Sequence, residues 1–436
     1  MPGSSDVRFG GRSPHNGEET ADMREPAGPT TGRSAGHGWV AVVACLCLIW
    51  TAAGCGGSDP QDLTDIPSER SGDETRPGTL DDPTGIPDLA AAGPWAVGHR
   101  TLRAQVAEER QLAVEVWYPA ASAEGSRTAL SAMEADARAG ALAALLADAP
   151  EDCLRNTLGA VRGTRVASGR FPVVLYSHCH VCTRWSGAAM AERLASHGVV
   201  VLAPDHEGNT LWDQLEENAA SVGEAFLRVR ADDLHALLAI LRGQADSTQR
   251  LLDDPAELDD LLTAMDPERM ATLGHSFGAA TAGLVLQEDP ELRGAFAVAA
   301  PMENPLTPGV RMADLGERPV GFLLAVEDNS ITTFGNTFLR DNAASALGPS
   351  VLVEVDDLGH WGMSDIVSLL PMFEPGCGDG RRMTNRRDFT YLPPDAGRDI
   401  AATAVAAFLV PLLTGADLGA AWDALDAREG VQVTRR

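Results

Sequence analysis

The 436-residue sequence contains no lysine, so all 34 of its basic residues are arginine. That is a compositional bias and carries no mechanistic signal by itself. Basic charge is scarce altogether. Sixty-two Asp and Glu leave a formal net charge of −28, which excludes a nucleic-acid partner held through its phosphates and electrostatic docking on anionic lipid. The same balance favours solubility and cationic or neutral substrates. No internal repeat is visible. No apolar run reaches the ~20 residues that a transmembrane helix needs. The run at residues 39–53 falls short of it. Cysteines are few, seven in all. Cys179-x-x-Cys182 has a zinc-like spacing, with His178 and His180 beside it, but beyond residue 55 no second close cysteine pair completes such a site. No metal and no cofactor are expected.

What is present begins with a targeting segment. Residues 1–38 are polar and rich in Gly, Pro and Ser, the apolar run follows, and Thr51-Ala52-Ala53-Gly54-Cys55 closes it. Small residues directly before a cysteine resemble a bacterial lipobox, although Ala52 stands where Leu is usual. Cleavage before Cys55 would leave its thiol to carry diacylglycerol, so the expectation is a lipoprotein signal over residues 1–54. Met23 is an alternative start, with Arg24 and Arg33 still supplying positive charge. An ordinary signal peptide and an uncleaved anchor are the other readings. Residues 55–93, dense in Gly, Ser, Asp, Pro and Thr, read as a disordered tether. The implied location is the cell envelope, with the chain lipid-anchored to a bacterial membrane. Cys45 and Cys47 leave with the signal. Cys153, Cys179, Cys182 and Cys377 remain, an even count that suggests two disulfides with three possible pairings.

Residues 94–436 read as one α/β domain. Two antiparallel strands are expected at 97–106 and 112–119 and a helix at 130–150. Further strands are expected at 171–176, 198–204, 270–273, 294–300, 320–326 and 351–355. Helices are expected at 188–196, 226–242 and 400–414. Short apolar strands alternating with helices imply a mostly parallel sheet with helices on both faces. Residues 209–265 read as a helical insertion, acidic over 244–264, that could cap a site.

In such sheets, ligands sit at the carboxyl ends of the strands. After the strand at 270–273 comes Gly274-His275-Ser276-Phe277-Gly278, followed by the small residues Ala279-Ala280-Thr281-Ala282-Gly283. A serine between two glycines at a strand-to-helix turn is a nucleophile elbow: the turn is tight, and the hydroxyl stands clear of the sheet. After the strand at 320–326 comes Glu327-Asp328-Asn329, where Asp328 is the expected acid and Glu327 its neighbour. After the strand at 351–355 comes Asp356-Asp357-Leu358-Gly359-His360, where His360 is the expected base. After the strand at 171–176 comes Ser177-His178-Cys179-His180. An oxyanion hole takes one backbone N–H from this loop and one from the residue after the nucleophile. His180 and Phe277 are the candidates. His178 reads as a buried polar residue that ties the loop together.

The order Ser276, Asp328, His360 is that of the α/β-hydrolases. Val114-Glu115-Val116-Trp117-Tyr118-Pro119, residues 171–178, Ala203-Pro204-Asp205-His206, Gly274-His275-Ser276-Phe277-Gly278 and Gly359-His360-Trp361-Gly362-Met363-Ser364-Asp365 resemble the bacterial α/β-hydrolases grouped with platelet-activating-factor acetylhydrolase. Dienelactone hydrolases and cutinase-like polyester hydrolases lie nearby. The resemblance covers roughly residues 94–415. It implies serine hydrolysis of carboxylic esters with short acyl chains, on a small-molecule or lipid ester. The alternatives are a polyester or lactone hydrolase and a non-catalytic surface lipoprotein of hydrolase fold. Two departures stand out. Cys179 replaces the glycine of the family's Ser-His-Gly loop. The animal acetylhydrolases place the acid one strand after the nucleophile, where this chain has no carboxylate until Glu303. The acid expected here is therefore Asp328, as in the cutinase-like branch.

Overall fold

The structure, a computed structural model, describes residues 88–415 and 419–436. The apolar run, Cys55 and most of the expected tether lie outside the described residues. Residues 88–93, assigned to the tether by composition, are instead packed against the domain. Leu89 is 1% exposed, Arg193 donates to its carbonyl at 2.7 Å, and the Gly93 N–H reaches Ser196 Oγ at 3.0 Å. One leucine in a polar stretch is enough to anchor the chain, and composition averaged over the stretch hides it.

The described chain builds a twelve-stranded sheet. From one edge it runs Val431–Arg435, Ser350–Val355, Val320–Ala325, Ala295–Val298, Met265–His275, Phe171–Ser177, Val200–Pro204, Arg110–Ala120, Ala96–Ala107, Thr157–Arg162 and Arg127–Ala129. Arg250–Leu251 pairs on the side of Ala96–Ala107. The six strands from Ser350–Val355 to Val200–Pro204 are mutually parallel. They are nearly continuous apolar runs, as strands covered on both faces must be. Antiparallel strands flank them on each side. This is the α/β-hydrolase arrangement expected from the sequence.

Helices Ala188–Ser196 and Pro394–Thr414 cover one face, burying Leu194, Ile400, Val405 and Leu409 with Val174, Leu273 and Val353. Pro394–Thr414 is long and apolar enough to cross a membrane, but it is mostly buried within the domain. Helices Glu224–Leu241, Phe277–Glu288 and Thr332–Ser345 cover the other face, where Leu227, Leu234, Leu284 and Leu339 meet Val173, Met270 and Phe322. The segment 209–265 holds helices Leu211–Leu215, Glu224–Leu241 and Pro255–Ala264, and the long one is a layer of this core. Its acidic end also holds a short strand before helix Pro255–Ala264.

The four cysteines pair as Cys153–Cys377 and Cys179–Cys182. The first joins positions 224 residues apart. A loop that long restricts the unfolded chain by about 5 kcal/mol in the chain-entropy picture. The second closes a four-residue turn around His180.

Strand order reverses beside Phe171–Ser177. The chain continues from it to Val200–Pro204 on one side and returns to Met265–His275 on the other, with Ser177 paired to Gly274. Such a switch point opens a crevice at the strand ends.

Candidate active site

Strand Met265–His275 runs directly into helix Phe277–Glu288, with Ser276 between them at φ 55°, ψ −120°. A residue with a side chain rarely adopts a positive φ, and when it does the surroundings must enforce it. Here the two glycines make the turn possible. A Cβ on Gly274 would lie 1.9 Å from the Gly278 carbonyl oxygen, and a Cβ on Gly278 would lie 1.9 Å from that of Ser177. The Ser276 N–H is held by the Val298 carbonyl of the adjacent strand at 2.8 Å.

His360 Nε2 lies 2.9 Å from Ser276 Oγ, and His360 Nδ1 lies 2.6 Å from Asp328 Oδ2. A carboxylate only accepts, so Nδ1 carries the proton and Nε2 presents its lone pair to the serine hydroxyl. Asp328 is fixed in turn: its Oδ1 accepts from the N–H groups of Ser330 and Ile331, both at 2.9 Å. His360 and Asp328 are fully buried and Ser276 is half-buried. The other two carboxylates are engaged elsewhere. Glu327 holds Arg382 Nη1 at 2.9 Å and the Met383 N–H at 2.7 Å. Glu303 holds the Met312 N–H at 2.6 Å.

Phe277 is the first residue of its helix, where N–H groups have no partner inside the helix. The His180 N–H donates to no protein acceptor among the backbone bonds of the turns and loops. The two residues are neighbours, their rings 6.4 Å apart. The Cys179–Cys182 bridge braces the His180 turn from within, and the Leu211 N–H bonds the Cys182 carbonyl at 2.9 Å from outside. Cys179 therefore replaces a flexible glycine by a cross-link. His178 ties the loop together, as its position suggests. Its Nδ1–H donates to the Cys179 carbonyl at 2.7 Å, and its Nε2 accepts from the His206 N–H at 3.0 Å.

Several residues at this site have no role that the sequence pattern alone assigns. His275 Nε2–H donates to the His360 carbonyl at 3.1 Å and its ring lies 5.2 Å from that of His360. Behind the loop, Arg230, Asn209, His206 and Asp233 form a buried network. Helical periodicity marks residues 226–242 as a helix, but no local pattern marks Arg230 as the member that reaches the loop.

Burial holds four of these histidines neutral. It is the largest cause in each case, and the Arg230 charge adds to it for His178, His180 and His206. His178 and His206 are pushed well below 6.5, His180 below it, and His275 to about 3. In the unfolded chain all four would titrate near 6.5, so below that pH the unfolded state binds protons that the folded state refuses. Their stabilising contribution is complete above about pH 6.5 and is lost as the pH falls below it, for His275 down to about 3. Each group can account for up to ~1.4 kcal/mol per pH unit. The thermal midpoint should be flat between about pH 7 and 8 and drop steeply between about 6 and 4.5. An unchanged midpoint down to about pH 5 would contradict neutral burial of these rings.

The family model of platelet-activating factor acetylhydrolase, isoform II, matches residues 84–224 and 210–313, more than half of the chain. The chain belongs to this family. The matched stretch takes in His180 and Ser276 and ends before Asp328 and His360. Among curated relatives, the platelet-activating factor acetylhydrolase of Canis lupus familiaris is 27% identical over 160 residues, covering 30% of this chain and 35% of that protein. That of Bos taurus is 27% identical over 156 residues, covering 30% and 35%. That of Cavia porcellus is 26% identical over 146 residues, covering 28% and 34%. The chain thus aligns with about a third of the length of these relatives. Among solved structures, the ferulic acid esterase from Streptomyces cinnamoneus superposes with a TM-score of 0.51 at 22% identity, over 75% of this chain and 96% of that one. That likeness is one of fold.

Proposed function

We propose that the protein is a serine esterase that hydrolyses short-chain acyl esters, as its acetylhydrolase relatives are named for doing. The observation that carries this reading is the unbroken hydrogen-bond chain from Ser276 through His360 to Asp328 at the carboxyl ends of the strands. Ser276 Oγ attacks the ester carbonyl carbon while His360 Nε2 takes its proton. The carbonyl oxygen becomes an oxyanion that accepts from the N–H groups of Phe277 and His180. The carbon–oxygen bond to the leaving alcohol then breaks, and the alkoxide takes the proton from His360. This leaves an acyl group on Ser276. Water, deprotonated by the same imidazole, attacks the acyl-enzyme; the bond to Ser276 Oγ breaks, His360 returns the proton to that oxygen, and the carboxylic acid is released. Asp328 stays ionised throughout and stabilises the imidazolium.

A fluorophosphonate probe should label the folded protein at Ser276, and turnover should fall as the acyl chain of a p-nitrophenyl ester series lengthens. A folded protein that takes up no label would sink the reading.

Export and a lipid anchor at Cys55 belong to the same proposal. Their support is the apolar run ending in small residues directly before that cysteine. Expressed in a bacterium, the wild type should partition with membranes and incorporate labelled palmitate, and Cys55→Ser should do neither. Palmitate labelling unchanged in Cys55→Ser would refute the anchor.

A further inference from the structure

Arg230, in helix Glu224–Leu241, is fully buried, yet no carboxylate among the described residues pairs with it directly. Its Nη2 donates to the His178 carbonyl and to Ser177 Oγ, the latter at 3.1 Å. Its Nη1 donates to Asn209 Oδ1 at 2.8 Å. Asn209 Nδ2 donates in turn to His180 Nδ1 at 2.8 Å and to the Ala220 carbonyl at 2.7 Å. The guanidinium also lies over the Phe277 ring, 4.7 Å from its centroid. One side chain thus touches the His178 segment, the Asn209 link to His180, and Phe277. Those are the supports of both N–H donors of the candidate oxyanion hole.

The energetics argue that this arrangement does not exist for stability. Burying a guanidinium without an ion pair is unfavourable, and an apolar side chain of similar length often serves the fold as well. Burial pushes the Arg230 pKa down to about 9, which leaves it a cation at neutral pH. Asp233, whose charge acts on Arg230, is already held by Arg110 at 2.6 and 2.7 Å and by His206 Nδ1 at 2.9 Å.

Ser177, His206 and Asp233 repeat the donor order of Ser276, His360 and Asp328. Ser177 Oγ lies 3.0 Å from His206 Nε2. This second set is fully buried, and its serine oxygen already accepts from Arg230. It holds the loop and is not poised to attack a substrate.

We infer that Arg230 is the positioning residue of the oxyanion hole: through His178, Asn209 and Phe277 it sets the distance and aim of the His180 and Phe277 N–H groups. The inference rests on the esterase reading above. Its consequence is specific. Donors displaced by about an ångström lose the transition state far more than the ground state, on the order of 10²-fold in rate.

The test uses the whole exported chain with both disulfides intact, and p-nitrophenyl acetate as substrate. Arg230→Met should unfold cooperatively near the wild-type temperature and lower kcat about 10²-fold, with KM within about threefold. Affinity for a trifluoromethyl ketone, which forms an oxyanion on the serine, should fall in proportion to kcat/KM. Arg230→Lys, which keeps a charge and a donor, should recover about tenfold of the loss. Asn209→Leu removes only the link to His180 and should lower kcat about tenfold at unchanged KM; it decides the matter if Arg230→Met fails to fold. A folded Arg230→Met with wild-type kcat, a loss confined to KM, or an unchanged ketone affinity overturns the inference and leaves the esterase reading intact. A wild type that neither hydrolyses the ester nor takes up fluorophosphonate overturns both.

Discussion

Ser276→Ala should lower kcat for p-nitrophenyl acetate by about 10⁴- to 10⁶-fold while the protein stays folded. The expectation of a folded variant comes from the turn itself. The elbow is enforced by Gly274, Gly278 and the bond from the Ser276 N–H to Val298, none of which involves the hydroxyl. Alanine at φ 55° is no more strained than serine there. What is lost is one oxygen, and with it the proposed acceptor of the acyl group and the partner of His360 Nε2. The N–H groups of Phe277 and His180 remain, so a residue of catalysis over water should persist, as in other hydrolases stripped of their nucleophile. Burst kinetics separate the cases. The wild type should release nitrophenol stoichiometrically before the steady state if deacylation is slow, and the variant should show no burst. A Ser276→Ala variant with a wild-type melting temperature and more than a tenth of the activity would remove Ser276 from the mechanism.

The sequence made much of the fold and of the candidate site's placement legible because the site's residues lie where strands end, and strands are short apolar runs. The parallel strands, the glycines of the elbow and the positions of Asp328 and His360 all follow from that one regularity. Less was legible wherever a contact depends on the fold closing. Four cysteines allow three pairings, and only the approach of 153 to 377 selects one. Helix Thr332–Ser345 shows no apolar stripe in the sequence because its buried face carries Gly335, Asn336 and Asn342 beside Leu339 and Ala343, while Phe334 is exposed. The closing pair of helix Gly419–Asp426 and edge strand Val431–Arg435 is too short to stand out from its surroundings. Arg230 was invisible for a different reason. A buried arginine breaks the hydrophobic pattern of its own helix, and its partners lie about 20 to 50 residues away in sequence.

Asp328→Asn should lower kcat by about 10⁴-fold at neutral pH with KM nearly unchanged, whereas Glu303→Gln and Glu327→Gln should stay within about threefold. Asparagine keeps the Oδ1 contacts to the N–H groups of Ser330 and Ile331, so the turn should survive. Its Nδ2, however, donates where Oδ2 accepted. His360 must then turn Nδ1 into an acceptor and carry its proton on Nε2, facing Ser276, where it can no longer take the serine proton. Topology gives the reason for the asymmetry among the three carboxylates. Asp328 leaves strand Val320–Ala325, the direct neighbour of strand Ser350–Val355 that leads to His360, so a short side chain spans the gap. Glu303 follows strand Ala295–Val298, one position further from that imidazole, and its carboxylate is turned towards Met312. Glu327 is adjacent in sequence, but in the turn after the strand its side chain is taken up by Arg382 and the Met383 N–H. A large kcat loss in Glu303→Gln with an active Asp328→Asn would move the acid to the strand after the nucleophile and require the imidazole to swing away from its present partner.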